Sequence, residues 1–363
     1  MGRLVNFCAG VNLHTLPSKH VNAILWNLFD NAVNDQAISR TMAVNQAAGI
    51  QFQMLDSSGY QVHMAEKASK RMTFNDFKPI VDSKQEINVG PRHVIEAAAK
   101  LKPNFVIALD FPILTIEDPD DQHTEFMKKL GFNVSWAMES AHFRNSLCPE
   151  VQLLLPIQCY NLTQFKIYLQ MIGNIQFDGF SMPIRNMSLS DIILFLGHFR
   201  QLGVTQVHIL GAAAFFTIAL LAYMARHHFD WLSFDATSWR LAADRGEYLN
   251  PFNLSREPIG SNVTVDENTA MDCPCPFCKD KTFTYIKNLP VTEKIHFLRC
   301  HNWWVTEEAT RNLHNNSSTV VTLDKYLRSV SSKSKKIAEL VSTISTFEAL
   351  KDAGMDAMES ILA

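Results

Sequence analysis

The run TQVHILGAAAFFTIALLAYMARHHFDWLSFD (205–235) decides the fold. It opens on a short β-rich apolar run that stops at Gly211, continues through an alanine-rich helical stretch, and closes on a second short apolar run ending in Asp235. Strand, helix and strand in that order predict parallel strands joined by a crossover helix. The charge-free part, Val207 to Ala225, approaches the length of a membrane span. The glycine divides it into a buried strand and a buried helix, so no membrane partner is expected.

The same alternation recurs along the chain in LVNFCAG (4–10), IQFQMLD (50–56), FVIALD (105–110), VQLLLPIQ (151–158) and FDGFSMP (177–183). Helices are expected at 19–34, 91–101, 120–146, 163–173, 188–202 and 212–227. Seven strands are legible in this way, and the eighth that a closed barrel needs has no clear signal. No glycine-rich phosphate loop follows any strand, which favours a (β/α)8 TIM barrel, an α/β fold, over an open doubly wound sheet. A chain of 363 residues with 47% hydrophobic and 19% charged residues is long enough for one barrel-sized domain. Past about residue 250 the composition turns to Asn, Pro, Cys and paired aromatics, then to SVSSKSKK (329–336) and an amphipathic helix near 336–350. The expected organisation is a catalytic barrel over 1–255, a zinc-binding subdomain packed on it over 256–315, and a helical tail over 316–363.

The net charge of −3 supplies no global basic field, so a nucleic-acid partner would be held by a local patch. Seven cysteines, an odd number with one tight cluster, suit a reducing compartment and a metal better than a disulfide framework. The N-terminal MGRLVNFCAG lacks the basic start and long apolar region of a signal peptide, and a cytoplasmic location is expected.

Two groups of residues carry chemistry. Cys273, Cys275 and Cys278 lie within six residues, with prolines restricting the loop between them, and His301 follows downstream. Three thiolates and one imidazole complete a tetrahedral shell with no position left for water, which is a structural Zn2+ site. His296 and Cys300 compete for the fourth place. Asp56, Asp110 and Asp235 each stand at the end of an expected strand. In a barrel those ends form the rim where catalytic groups gather. One such aspartate is as well explained as the cap of the next helix, but three together point to an acidic site. Carboxylates suit nucleophilic and general acid–base work at a sugar carbon, which leaves a barrel glycosidase open at this point.

MLDSSGYQV (54–62), PRHVIEAAAKLKPNFVIALD (91–110), LLPIQC (154–159), FDGFSMP (177–183), the 208–240 segment, and CPCPFC followed by LRCHNWW occur in the order of the corresponding segments of tRNA-guanine transglycosylases. The chain resembles that superfamily over roughly residues 50 to 310. The resemblance implies a zinc-containing base-exchange enzyme, a pentosyltransferase, with Asp235 as nucleophile and Asp56 as general acid/base. It further implies Asp110 and Gln158 as readers of the purine edge, Ser57, Tyr60, Met182 and Arg240 at the substrate, and His301 as fourth ligand after Cys273, Cys275 and Cys278. Tyr60 is a candidate to stack on the base, with simple packing as the alternative.

The departures are informative. Ser58 and Tyr60 replace glycine and phenylalanine, Met182-Pro183 replaces the double glycine floor of the base pocket, and ATSWRLAADRG (236–246) replaces the P-T-R-x-x-R-x-G segment of members that act on tRNA. This altered pattern looks like the DpdA-type branch, which inserts 7-deazaguanines into DNA. The resemblance therefore implies DNA as the favoured polymer, tRNA as the alternative, and a free 7-deazaguanine such as 7-cyano-7-deazaguanine (preQ0) as the incoming base. Arg240, Arg245, Lys279, Lys281, Lys287, Lys294 and the cluster from Lys333 to Lys336 are candidates for the phosphate backbone, against the reading of a solvated charged surface. A homodimer through the zinc subdomain, accessory DNA-modification proteins, and a non-catalytic partner subunit are further readings the resemblance admits.

Overall fold

The computed structural model describes residues 2–10, 13, 16, 20–32, 34–59, 89–113, 118–185, 187–259 and 271–351. Eight strands, β1 (Arg3–Ala9), β2 (Ala23–Asn27), β3 (Phe52–Asp56), β4 (Phe105–Ile107), β5 (Gln152–Pro156), β6 (Gly179–Pro183), β7 (Gln206–Leu210) and β8 (Trp231–Asp235), form a closed parallel barrel in chain order. Closure is made by β1 against β8, where Phe7 stands opposite Asp235. Around the barrel lie α1 (Leu28–Asn31), α2 (Asp35–Ala48), α3 (Pro91–Leu101), α4 (Pro119–Leu147), α5 (Leu162–Ile172), α6 (Leu189–Gln201) and α7 (Phe215–His227). The chain then continues through α8 (Ser238–Asp244), the antiparallel pair β9 (Glu247–Leu249) and β10 (Arg256–Pro258), α9 (Phe283–Lys287), α10 (Val291–Asn315), α11 (Val320–Val330) and α12 (Ser334–Leu350).

The strand without a sequence signal is β2, and it corrects the helix expected at 19–34. Residues 23–27 are extended and pair with both β1 and β3, and only a single helical turn, α1, follows. Val21, Ile24, Leu25, Leu28 and Phe29 recur at helical spacing, which concealed a five-residue strand. Pairing on two edges overrides that period, because an unfilled slot would leave the backbone groups of β1 and β3 without partners.

Alternation along the strands divides the core. One set of side chains, among them Phe180, Met182, Val207, Ile209 and Phe234, packs outward against the helices. The other, with Phe7, Leu25, Met54, Phe105, Ile107, Leu154 and Trp231, fills the barrel. Trp231 packs against Phe52 and Phe105 with ring centroids 4.8 and 5.0 Å away, closing the end of the barrel where the strands begin. At the opposite end the inward positions turn polar. The segment 207–225 is β7 followed by the buried helix α7, and among the described residues no helix is long and apolar enough to cross a membrane.

The helix that completes the wall next to β8 is α10. It packs on α7, α8 and β1, and the hairpin and cysteine-rich segment lie between β8 and this helix in the chain. Asn6 of β1 donates to the half-buried Glu307 of α10 at 2.7 Å, fixing the two elements together. Burial raises the Glu307 carboxyl to about 7.

Candidate active site and metal centre

The rim of the barrel brings Asp56, Asp110 and Asp235 together. Each ends or follows a strand whose register is set by its neighbours, so their positions are backbone positions. Burial, followed by the charges of Asp110 and Asp235, raises Asp56 to about 7. Asn27 opposes it, donating from Nδ2 to Asp56 Oδ2 at 3.3 Å. The Asn27 side-chain oxygen caps α1 by accepting from the Phe29 and Asp30 amides, which turns its amino group toward the carboxylate. A carboxyl group that titrates near neutrality can give up and take back a proton within one cycle.

Asp110 is buried and held from two sides. Ser57 Oγ donates to its Oδ1 at 3.0 Å and Gln158 Nε2 to its Oδ2 at 2.6 Å. Burial raises this carboxyl to about 6 while those two bonds lower it. Gln158 is oriented in turn by accepting from the Ile113 amide at 3.2 Å. The loop between them is gripped by α4, where Asn133 bonds both the amide and the carbonyl of Phe111 and Lys129 donates to the Pro112 carbonyl at 2.9 Å.

Backbone at the β3 end approaches Asp110 so closely that a Cβ on Gly59 would stand 2.1 Å from its Oδ1. Only glycine fits there. Ser58, beside it, has φ +70°, the left-handed conformation that glycine adopts more readily, and its hydroxyl accepts from the Phe29 amide at 3.4 Å. Asp235 accepts from the Gly211 amide at 3.0 Å through Oδ1. The same oxygen lies 3.6 Å from His208 Nε2.

The second site is the metal centre. The sulfurs of Cys273, Cys275 and Cys278 lie 3.7, 3.2 and 3.2 Å from His301 Nδ1, and all four donor atoms fall within 4.8 Å of one another. A tetrahedron with Zn–S of about 2.3 Å and Zn–N of about 2.0 Å has edges of this size, so the donor set fits zinc. The Cys273 sulfur holds the thiols of Cys275 and Cys278 above the usual thiol range, which a bound dication would reverse. His301 is oriented by its other nitrogen, 2.8 Å from the Leu249 carbonyl, and by the Tyr248 ring stacked on it at 3.9 Å. His296 and Cys300, the competing ligands, instead lie 3.8 Å from each other, outside the cluster.

Asn302, next to the histidine donor, ties the metal helix to the segment that follows Asp235. Its amide donates to the carbonyls of Trp239 and Glu247 and accepts from the Leu249 amide.

A family model described as queuine tRNA-ribosyltransferase matches residues 18–316. The chain belongs to this family. A tRNA-guanine(15) transglycosylase of Pyrococcus abyssi (strain GE5 / Orsay) is 23% identical over 231 residues, covering 61% of this chain and 36% of that protein. The match thus spans little more than a third of that relative's length.

Within this family framework, the remaining expected site residues divide clearly. Ser57 and Gln158 join Asp110 as described, and Tyr60 lies outside the described residues. Met182 is fully buried in the layer between strands and helices, so its side chain does not reach the rim. Arg240 faces Asp244 at 3.9 Å, and Arg299 of α10 bonds the same carboxylate at 2.6 Å. Arg245, Lys279, Lys287, Lys333, Lys335 and Lys336 are exposed. Lys281 lies 4.2 Å above the Tyr285 ring, and Lys294 donates to the Lys287 carbonyl. Asn27, His208 and Ser233 were not legible in the sequence as site residues, because each sits inside an apolar run that reads as core.

Proposed function

We propose that this chain is a base-exchange transglycosylase that replaces guanine in DNA with a 7-deazaguanine of the preQ0 type. The observation that carries the reading is the convergence of Asp56, Asp110 and Asp235 at one rim, with Asp56 raised to about 7.

The target guanine leaves the base stack so that its sugar carbon is exposed, at a cost of about a few kcal/mol. An Asp235 carboxylate oxygen attacks C1′, the C1′–N9 bond breaks, and a glycosyl ester forms on Asp235. Asp56 delivers its proton to the departing guanine. Asp110 accepts from the N1–H and amino group shared by guanine and its deaza analogues, with Gln158 and Ser57 holding it in place. The incoming 7-deazaguanine then loses a proton to Asp56, its ring nitrogen attacks C1′, and the ester bond to Asp235 breaks. Atoms and protons are restored, and Asp56 ends as it began.

The Cys3His centre supplies no step in this scheme. Zinc bound there would fix α10, and through Asn302 the segment after Asp235. The apolar groove beside it, lined by Phe277, Tyr285, Leu289, Phe297 and Cys300, supports a homodimer as part of the same proposal.

DNA is favoured by the loss of the P-T-R segment after Asp235, whereas the family model and the archaeal relative favour tRNA. Incorporation of labelled guanine and labelled 7-cyano-7-deazaguanine into purified DNA and total tRNA separates them. Label in DNA alone is expected; label in tRNA alone replaces DNA with the second reading, and label in neither removes base exchange altogether.

A further inference from the structure

His208 occupies the middle of β7, with its neighbours Val207 and Ile209 packed outward and its own ring turned into the barrel. It is fully buried, with the Phe7 ring edge-on at 5.7 Å. Nδ1 lies 2.9 Å from Ser233 Oγ, its direct cross-strand neighbour on β8. Nε2 is sealed from solvent, has no hydrogen-bond partner among the described residues, and stands 3.6 Å from Asp235 Oδ1. Burying an imidazole inside an apolar barrel without bonding both nitrogens is costly. The atom its second nitrogen faces is an oxygen of the proposed nucleophile.

We propose that His208 is a positioning residue that, with the Gly211 amide, holds one oxygen of Asp235 and leaves the other to attack C1′; this rests on the base-exchange reading. When Ser233 donates to Nδ1, the imidazole proton sits on Nε2 and points at Oδ1. The competing arrangement, with Ser233 donating to the Val207 carbonyl, uses the longer 3.5 Å contact. At 3.6 Å the His208–Asp235 contact is just beyond hydrogen-bond range, and such contacts at reactive sites close by a few tenths of an ångström once substrate is in place. Two donors on Oδ1 make Oδ2 the attacking atom. In the ester, Oδ1 becomes the carbonyl oxygen. As the incoming base displaces Asp235, negative charge returns to that oxygen beside the same two donors, so the displacement gains from stabilised charge and the attack from orientation alone, while binding of polymer and free base gains from neither.

The test compares wild type with His208→Phe, which keeps a flat buried ring without the donor, and His208→Gln, which restores an N–H at the same reach. Misplacing a reacting group by about 1 Å costs on the order of 100-fold in rate. His208→Phe is therefore expected to lower kcat by roughly 30- to 100-fold. KM for polymer and for free base should stay unchanged, trapping of the Asp235 adduct should slow in parallel, and His208→Gln should recover most of the loss. Imidazole 15N shifts of the wild-type protein should show the proton on Nε2. A kcat for His208→Phe within twofold of wild type overturns the inference and leaves the base-exchange reading standing. So does a proton found on Nδ1, or a loss shared equally by both variants together with a lowered Tm. Wild-type protein that exchanges no base in DNA or tRNA brings down both.

Discussion

Three of the four metal-site donors lie within six residues of one another, whereas Asp56, Asp110 and Asp235 meet only because β3, β4 and β8 end at one rim. The two sites also differ in what holds them. The metal donors, thiols crowded around an imidazole, need a cation to sit together. Burial and, after it, the charges of Asp110 and Asp235 push Asp56 upward, and the carboxylates stay close because the barrel's strand pairing sets their positions. A site written locally depends on its ligand, and a site written across a fold depends on its topology. The two are joined at Asn302, one residue after the histidine donor.

The sharpest separation of the two should come from Asp235→Ala. Removing the proposed nucleophile is expected to lower base exchange by about 10⁴-fold or more, judged from losses of nucleophile-class residues elsewhere. Metal content and circular dichroism should match wild type and Tm should not fall, since among the described residues the Asp235 side chain accepts from Gly211, faces His208 and repels Asp56. Retained exchange, or retained covalent adduct by mass spectrometry, would remove Asp235 from the chemistry.

Removal of the metal should do the reverse. Cys275→Ser, or treatment with a strong chelator, is expected to cost several kcal/mol of stability, on the order seen where metal binding is folding free energy. The loss should be largest in hydrogen exchange of α10, and exchange activity should fall as a consequence of the loosened Asn302 contacts. Metal loss with unchanged Tm and unchanged α10 protection would mean that the helix is held by packing on α7 and α8 alone.

The same contrast explains what the sequence discloses. The three cysteines are close enough to be read as a unit, His301 joined them through the resemblance rather than through spacing, and the structure gathers the four donor atoms around one point. Asp56, Asp110 and Asp235 were legible because strand ends are marked by the change from apolar to polar residues. His208 and Asn27 were not, since a polar side chain inside an apolar run acquires a role only when register places it against a partner on the next strand. The strand 23–27 was hidden for a related reason, because its periodicity is helical and its identity comes from the edges of β1 and β3. Likewise nothing local shows that α10, after the cysteine-rich segment, packs on β1, α7 and α8 beside the last strand.

A smaller effect tests the raised Asp56 carboxyl directly. Burial and the charges of Asp110 and Asp235 raise folded Asp56 to about 7, compared with about 3.9 in the unfolded chain. Between those values the folded protein retains a proton the unfolded chain has released, so stability declines as pH rises from about 4 to about 7 and levels off above. Asp56→Asn abolishes that decline while keeping an acceptor for Asn27. Its Tm should match wild type near pH 4 and exceed it at pH 7.5 by an amount equivalent to on the order of 4 kcal/mol. Exchange should meanwhile fall on the order of 100-fold. An equal Tm difference at both pH values would show that Asp56 is not held protonated by its burial and its neighbours.

Ser58→Gly should have the smallest effect, and its near-neutrality is itself informative. Ser58 holds φ +70°, which costs a non-glycine residue about 1 kcal/mol. Glycine relieves that strain but adds about 0.5–1 kcal/mol of unfolded-chain entropy and forfeits the weak 3.4 Å bond from Phe29. The opposing changes nearly cancel, so stability should move by less than about 0.5 kcal/mol. Base exchange should stay within twofold, because Gly59, not Ser58, gives Asp110 its room. A rate gain of tenfold or more would mean that the serine hydroxyl restrains the Asp56 loop, and that the departure from glycine at this position tunes the acidic rim through α1.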